Sequence, residues 1–267
     1  MKLSFKNILP ILLIFTLLIL FAGCSLTPST YTVTYDGNGN TAGTVPIDPL
    51  SPYQSGVTVT VFGNAGTLVK IGYTFDGWNT LADGSGVDQA EGSTFTMGAS
   101  NVTLYAQWTP YVLRDIGPAG GYIFYDKFSY SDGWRYLEAA PSDQSTDAEW
   151  GCDGTLIWGA DGTLVGTGKQ NTIDIEAGCT TSGTAADICA NLSLGGYDDW
   201  FLPSKEELNL MHINLKVFGV GGFAVDYYWS SSEFNADNAW SQGFSGGGPL
   251  FISTKINTFR VRAVRAF

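Results

Sequence analysis

Hydrolytic catalysis through Ser–His or Cys–His pairs needs an imidazole base, and the chain carries a single histidine, His212. It falls in Leu208, Met211, His212 and Leu215, an i, i+3, i+4, i+7 run on one face of an expected helix. That places it as a packed residue, and no second histidine stands behind it. The cysteines are Cys24, Cys152, Cys179 and Cys189. Cys189 lies on the buried stripe of another expected helix, where a thiol behaves as a small hydrophobe. Cys152 and Cys179 sit in a Gly- and Asp-rich stretch and are expected to form a disulfide in an oxidising compartment. The competing reading is a catalytic thiol. Two carboxylate pairs stand out, Asp198-Asp199 and Glu206-Glu207. Glycosidase carboxylates face each other across about 5–9.5 Å, which adjacent residues do not supply by themselves. Glu206-Glu207 belongs at a helix start, where the macrodipole favours acids. Asp153, Asp161 and Asp237 lie in Gly- or Asn-rich loops, but the ligand spacing of an EF-hand is absent. No catalytic residue, metal or cofactor is expected.

The best candidate surface is the aromatic and polar cluster from Tyr227 to Trp240. It holds Tyr228, Ser231, Glu233, Asn235, Asp237, Asn238 and Trp240 as expected ligand contacts, with Trp229 among them in sequence. Stacking aromatics beside amides and carboxylates suit sugar rings, which offer apolar faces and hydroxyl edges. Strand-period burial of Trp229 and Trp240 is the plainer reading of those two, and the Glu233–Asn238 loop is the part expected to be exposed. Arg260 and Arg262 share a strand face, where they form either a local basic spot or internal ion pairs.

These residues need elements to hold them, and the chain changes texture along its length. Lys2 and Lys6 precede an apolar run from Ile8 to Ala22, then Phe21-Ala-Gly-Cys24. A basic start, a short apolar core and small residues before the cut make a secretory signal. The run is short of the about 20 apolar residues that span a bilayer. The final four residues resemble the bacterial lipobox, with Phe21 where Leu is usual. The resemblance implies residues 1–23 as a lipoprotein signal peptide, acylation of Cys24, and residues 24–30 as a short polar tether. The protein would then sit in the cell envelope, lipid-anchored to the outer face of a bacterial membrane. Losing both early lysines from 13 basic residues leaves 11 against 25 acidic, a formal charge of −14. Such a surface repels polyanions, so nucleic acid is excluded as a partner.

From Tyr31 to Trp108 alternating segments break at Gly/Asn/Asp turns, the mark of half-buried strands. Val33-Thr-Tyr-Asp-Gly-Asn-Gly39, Gly72-Tyr-Thr-Phe-Asp-Gly-Trp78 and Val102-Thr-Leu-Tyr-Ala-Gln-Trp108 resemble the Listeria–Bacteroides repeat, related to the internalin B repeat. The resemblance implies a β-grasp-like module over residues 31–109, of a kind used as a surface spacer or weak adhesion unit.

Thr109-Pro110 marks a boundary before a second segment, residues 111–267. Here a strand at Gly121–Tyr125 is followed by a long irregular stretch from Asp143 to Cys179. Two helices come next. Thr184 caps the first, and Ser204 with Glu207 forms a capping box on the second. Strands return over 227–232, 239–244, 250–255 and 259–267. Gly195-Gly-Tyr-Asp-Asp-Trp-Phe-Leu-Pro-Ser-Lys-Glu-Glu-Leu208, Tyr228-Trp-Ser-Ser-Ser-Glu233 and Val261-Arg-Ala-Val-Arg-Ala-Phe267 resemble the C-terminal domain of the Legionella collagen-like adhesin. The resemblance implies a C-type-lectin-like domain, and an α+β chain as a whole. It also implies a binding and adhesion role toward an extracellular glycan or protein surface. One alternative is an enzyme on the same fold. Trp200-Phe-Leu-Pro203 echoes the formylglycine-generating enzyme, but that enzyme's cysteines lie in late strands and loops, and no cysteine follows Cys189. The other alternative is a structural envelope protein with no specific ligand.

Overall fold

A computed structural model describes residues 28–267, so the expected leader and Cys24 lie outside the described residues. The architecture is mixed α+β, with a strand-only N-terminal part and helices confined to the second half. The N-terminal part runs through β1 (Thr30–Tyr31), β2 (Val33–Asp36), β3 (Tyr53–Gln54), β4 (Thr58–Thr60), β5 (Tyr73–Asn79), β6 (Asp88–Gln89), β7 (Thr94–Thr96) and β8 (Val102–Pro110). Its main sheet has the order β2-β8-β5-β6, with β2 parallel to β8 and β5 antiparallel to it. Alternation sends Val33 and Tyr35 of β2 inward and Thr34 and Asp36 outward, the pattern a half-buried strand requires. Trp78, Leu104, Val59 and Met97 close a core around Tyr35, whose ring meets Trp78 edge-on at 4.8 Å.

The second part begins with β9 (Tyr122–Ser131), β10 (Trp134–Ala139) and β11 (Ser145–Glu149). Three helices follow, α1 (Gly168–Gly178), α2 (Ala185–Ala190) and α3 (Lys205–Asn214). It ends with β12 (Tyr227–Asn235), β13 (Asn238–Gly243), β14 (Leu250–Thr254), β15 (Thr258–Val261) and β16 (Val264–Ala266). One sheet has the order β16-β10-β9 and the other β11-β15-β12-β13-β14. Pairing of β16 with β10 returns the last strand to the start of the segment. Two apolar clusters fill the space between sheets and helices. One centres on Trp150, Trp200 and Trp229, the other on Phe124, Tyr228 and Phe244.

Helices α2 and α3 form where capping predicts them. Thr184 accepts from the Asp187 N–H, and Ser204 with Glu207 makes the full reciprocal box. The stretch from Asp143 to Cys179 is less irregular than its Asp-Gly and Thr-Gly turns suggest, since it contains β11 and the eleven-residue α1. Helix α1 begins on Gly168, has no side-chain cap and no acid in its first turn, so the usual start signals are missing. It exists because Asn171, Thr172 and Ile175 are buried against the rest of the domain. Cys179 at its end is bonded to Cys152, the expected disulfide, with Cys189 buried and free. Burial pushes the Cys189 thiol well above its ordinary range, so the inert structural reading holds for it.

Candidate functional site

The Tyr228–Glu233 run is a structural staple along most of its length. Tyr228 through Glu233 are all buried. The Tyr228 hydroxyl donates to Asp143 Oδ2 at 3.0 Å and accepts the Ala224 N–H at 2.9 Å. Burial and the nearby Asp143 push its pKa up. The serines stitch neighbouring elements to β12. Ser230 Oγ donates to Trp240 O, and Ser231 Oγ accepts from Asn171 of α1. Ser232 Oγ accepts the Lys205 N–H at the start of α3. Trp229 donates its indole N–H to Ala148 O from the core.

Glu233 is 4% exposed and cannot serve as the exposed end of a binding loop. Its carboxylate takes the Lys255 ammonium at 2.5 Å and the Ile157 N–H at 2.9 and 3.1 Å. Lys255 also donates to Thr155 O and lies 4.6 Å over the Trp150 ring. The pair therefore clamps the 152–157 loop to the sheet. Placing Tyr228, Ser231 and Glu233 at a ligand surface is corrected on this burial. Period-two alternation fails along β12 because helices and loops cover its other face as well.

What remains at the surface is the far end of the β12–β13 hairpin. Asn235 and Asp237 are exposed and Asn238 is half-buried. Asn235 Oδ1 accepts from Asp237 N and Asn238 Nδ2, both at 3.0 Å, which fixes the turn. The Asp237 carboxylate and the Asn235 amide N–H groups are left outside these two bonds. Trp240 is half-buried beside Phe234, edge-on at 5.7 Å, and pairs in register with the exposed Ile252 of β14. The Lys205 ammonium sits 4.3 Å over the Trp240 ring. The resulting surface is an apolar stripe, Phe234–Trp240–Ile252, with an ammonium beside it and an amide–carboxylate turn at its end. Phe234, Ile252 and Lys205 were missed in the sequence. The apolar run Leu250-Phe-Ile at the start of β14 was the available signal for Ile252, whereas Lys205 is brought in by the packing of α3.

The other candidates resolve into structure. His212 is 6% exposed, edge-on to Phe244, and burial lowers its pKa so the ring is neutral at pH 7. Arg260 and Arg262 both bond Asp143, with Asp226 also on Arg260, so they form ion pairs and no free basic spot. Asp199 is held by Arg265 at 2.7 and 3.1 Å, and Glu207 is buried in the α3 cap. Among the described residues no group of three or more His, Cys, Asp or Glu side chains is placed to hold a metal ion. Among the same residues, no helix is long and apolar enough to cross a membrane.

Residues 31–107 match the Listeria-Bacteroides repeat domain, and residues 141–265 match the Lcl C-terminal domain. A protein named as a Gly-rich membrane protein of Evansella cellulosilytica is 50% identical over 78 residues, covering 29% of this chain and 9% of that protein. A second membrane protein of the same organism is 47% identical over 78 residues, 29% of this chain and 11% of that protein. The matched stretch thus spans about a tenth of either relative. A crystal structure of a fimbrial protein from Bacteroides ovatus ATCC 8483 aligns over 90% of this chain and 69% of that chain. The identity is 11% and the TM-score 0.40, too weak a likeness to bear on the fold. The Lcl-type match is consistent with a non-enzymatic protein. The chain joins a Listeria-Bacteroides repeat domain to an Lcl C-terminal domain.

Proposed function

We propose that this is a cell-surface adhesion protein whose Lcl-type domain binds an extracellular glycan or protein ligand along the Phe234–Trp240–Ile252 stripe and the Asn235–Asn238 turn. The observation that carries this reading is the stripe itself. Stacking surface, an ammonium, amide N–H groups and a carboxylate lie together on one rigid hairpin, inside the segment that matches the adhesin domain. Aromatic faces take the apolar face of a sugar ring, and the turn groups take its hydroxyl edge. Two domain identities, a repeat and an adhesin-type domain, support a surface-binding role.

The finer fold readings belong to the same proposal. The domain over 111–267 is read as C-type-lectin-like, because β16 returns to β10 and encloses helices and long loops between them. The repeat over 31–109 is read as β-grasp-like, on its mixed sheet with β2 parallel to β8. The leader and Cys24 are read as an acylated anchor that holds the chain at the outer face of a bacterial membrane.

The test is a panel of immobilised glycans and extracellular matrix proteins probed with the full chain. Retention on at least one ligand class is expected, with an affinity of about −8 to −4 kcal/mol, the micromolar to millimolar range, per site. Many copies on one surface would strengthen it. A panel that stays blank for both glycans and proteins favours a structural envelope role instead.

A further inference from the structure

Three hollows on the other elements of the molecule share walls. The first, 380 Å³, lies where the repeat meets the second domain, with Ile71 on one side and Tyr111, Tyr130, Tyr197 and Phe267 on the other. The second, 580 Å³, shares Gly133 and Ala266 with the first and runs past Trp134 to Lys169 and Gln170 of α1. The third, 270 Å³, shares Lys169 and Phe201 with the second and ends at Glu176 and Asp198. Asp199 lines both the first and the third. Shared lining residues set these hollows side by side as an interrupted groove, and none of its lining residues belongs to the Phe234–Ile252 stripe or its turn.

The two domains build the groove together. The Tyr111 N–H donates to Gly72 O, and a Cβ on Gly72, at φ +83°, would meet the Tyr136 ring at 3.3 Å. The repeat is therefore seated directly on β10, and Val69 and Ile71 form one wall. Along the rim, large apolar side chains stay in water. Ile71 is 49% exposed, Tyr130 58% and Ile173 51%. Exposed apolar groups that border a concave surface mark binding sites more often than isolated ones do.

The chemistry of the lining narrows the ligand. Arg265 is not free to hold an anion, because Asp199 and Glu138 bond it and its guanidinium lies 3.8 Å over the Tyr197 ring. The remaining wall charges are mixed and nearly balanced, Lys70 and Lys169 against Asp132, Glu176 and Asp198. Nothing in so balanced a lining favours an anionic ligand, and the chain's overall formal charge of −12 opposes one. Aromatic faces alternating with carboxylates and an amide suit a neutral chain of hydroxyl-bearing rings, and the hollows are of a size to take one after another.

We propose that this groove is a second ligand site, for a neutral oligosaccharide several residues long, and that the repeat contributes to binding as well as to spacing. This inference is independent of the hairpin stripe. The test is calorimetric titration of the full chain with chitopentaose, cellopentaose and mannopentaose, with a heparin pentasaccharide as the anionic control. At least one neutral pentasaccharide should bind, its disaccharide at least tenfold more weakly, and the heparin pentasaccharide not at all. Tyr130→Ala and Lys169→Ala, both at exposed positions, should each weaken binding about fivefold without changing Tm. Gln170→Trp, on the exposed face of α1 and placed to fill the middle hollow, should abolish it. Replacing Asn235, Asp237 and Asn238 by alanine should leave it untouched, which separates this site from the hairpin. The proposal is overturned if no neutral pentasaccharide binds, if binding survives Gln170→Trp, or if the hairpin variant removes it.

Discussion

Glu233 and Lys255 show how a residue chosen for its chemistry can turn out to hold the fold. Both side chains are buried, and the Ile157 N–H and Thr155 O complete their hydrogen bonds. Removing one partner leaves a charge without compensation, so Lys255→Met should destabilise the domain by about 3–5 kcal/mol. The double variant Lys255→Met, Glu233→Gln should recover a good part of that, as urea unfolding of the three proteins would show. Equal destabilisation in single and double variants would mean that the pair does not act as a unit. Glu207 gives a pH test. Burial pushes its carboxyl up to about 7, against the pull of the Ser204, Gly166 and Gly168 N–H groups. A carboxyl whose folded pKa exceeds its unfolded value binds its proton more tightly in the native state. The stability it contributes is therefore full below pH about 4.5 and is lost as pH rises through about 7. Relative to Glu207→Gln, which keeps the capping box, the wild type should lose about 3 kcal/mol over that window. A stability difference that stays flat with pH would contradict it. At this scale the sequence made the cap and the buried histidine legible, because each depends on near neighbours, and the disulfide because Cys189 falls on a buried helical stripe and leaves few other thiols to pair. It did not reveal that Glu233 faces Lys255, or that Arg262 faces Asp143, because those partners lie 22 and 119 residues apart and 25 acidic and 13 basic residues offer many other pairings.

At the scale of elements, α2 and α3 follow from their caps, whereas α1 does not. Its sequence, Gly-Lys-Gln-Asn-Thr-Ile-Asp-Ile-Glu-Ala-Gly, has no cap bond at its start and only a weak apolar face. Tertiary contacts and the disulfide at its C-terminal end hold it in place. The bridge closes a span of 27 residues, for which the chain-entropy treatment gives about 3.5 kcal/mol. Cys152→Ser should cost about that much in unfolding experiments. Peptide mapping without reductant should recover Cys152 joined to Cys179 and Cys189 as a free thiol. A bridge that includes Cys189 would contradict the assignment. The β9–β10 hairpin offers the opposite case. Phe128, in β9 where the pairing with β10 is irregular, has φ +62° and is 85% exposed, so its left-handed backbone has little packing to offset it. Phe128→Gly should raise stability by about 1 kcal/mol, read as a higher midpoint in urea. A fall in stability would show that the ring makes packing contacts in solution.

For the molecule as a whole, the mixed α+β character was legible early, because strand alternation and helix caps lie along the chain, whereas the expected break at Thr109-Pro110 falls inside β8. The groove between the domains was not legible, since no local pattern reports which side chains two packed units bring together. The chain's formal charge of −12 sets a whole-molecule expectation, that polyanions bind poorly and more poorly still at low salt. The anchor is a second. One acyl chain holds a protein to a membrane only marginally, so stable attachment at Cys24 calls for more than one. Cys24→Ala should move the protein from the detergent phase to the aqueous phase, and unchanged partitioning would rule out the anchor. The most direct test of the adhesion reading is retention of the full chain on whichever ligand the panel identifies, beside a variant carrying Asn235→Ala, Asp237→Ala and Asn238→Ala, both in a Gln170→Trp background that removes binding in the groove. Loss of retention at a nearly unchanged Tm is the expected result, and retention equal to that of Gln170→Trp alone would place the binding surface somewhere other than the β12–β13 hairpin.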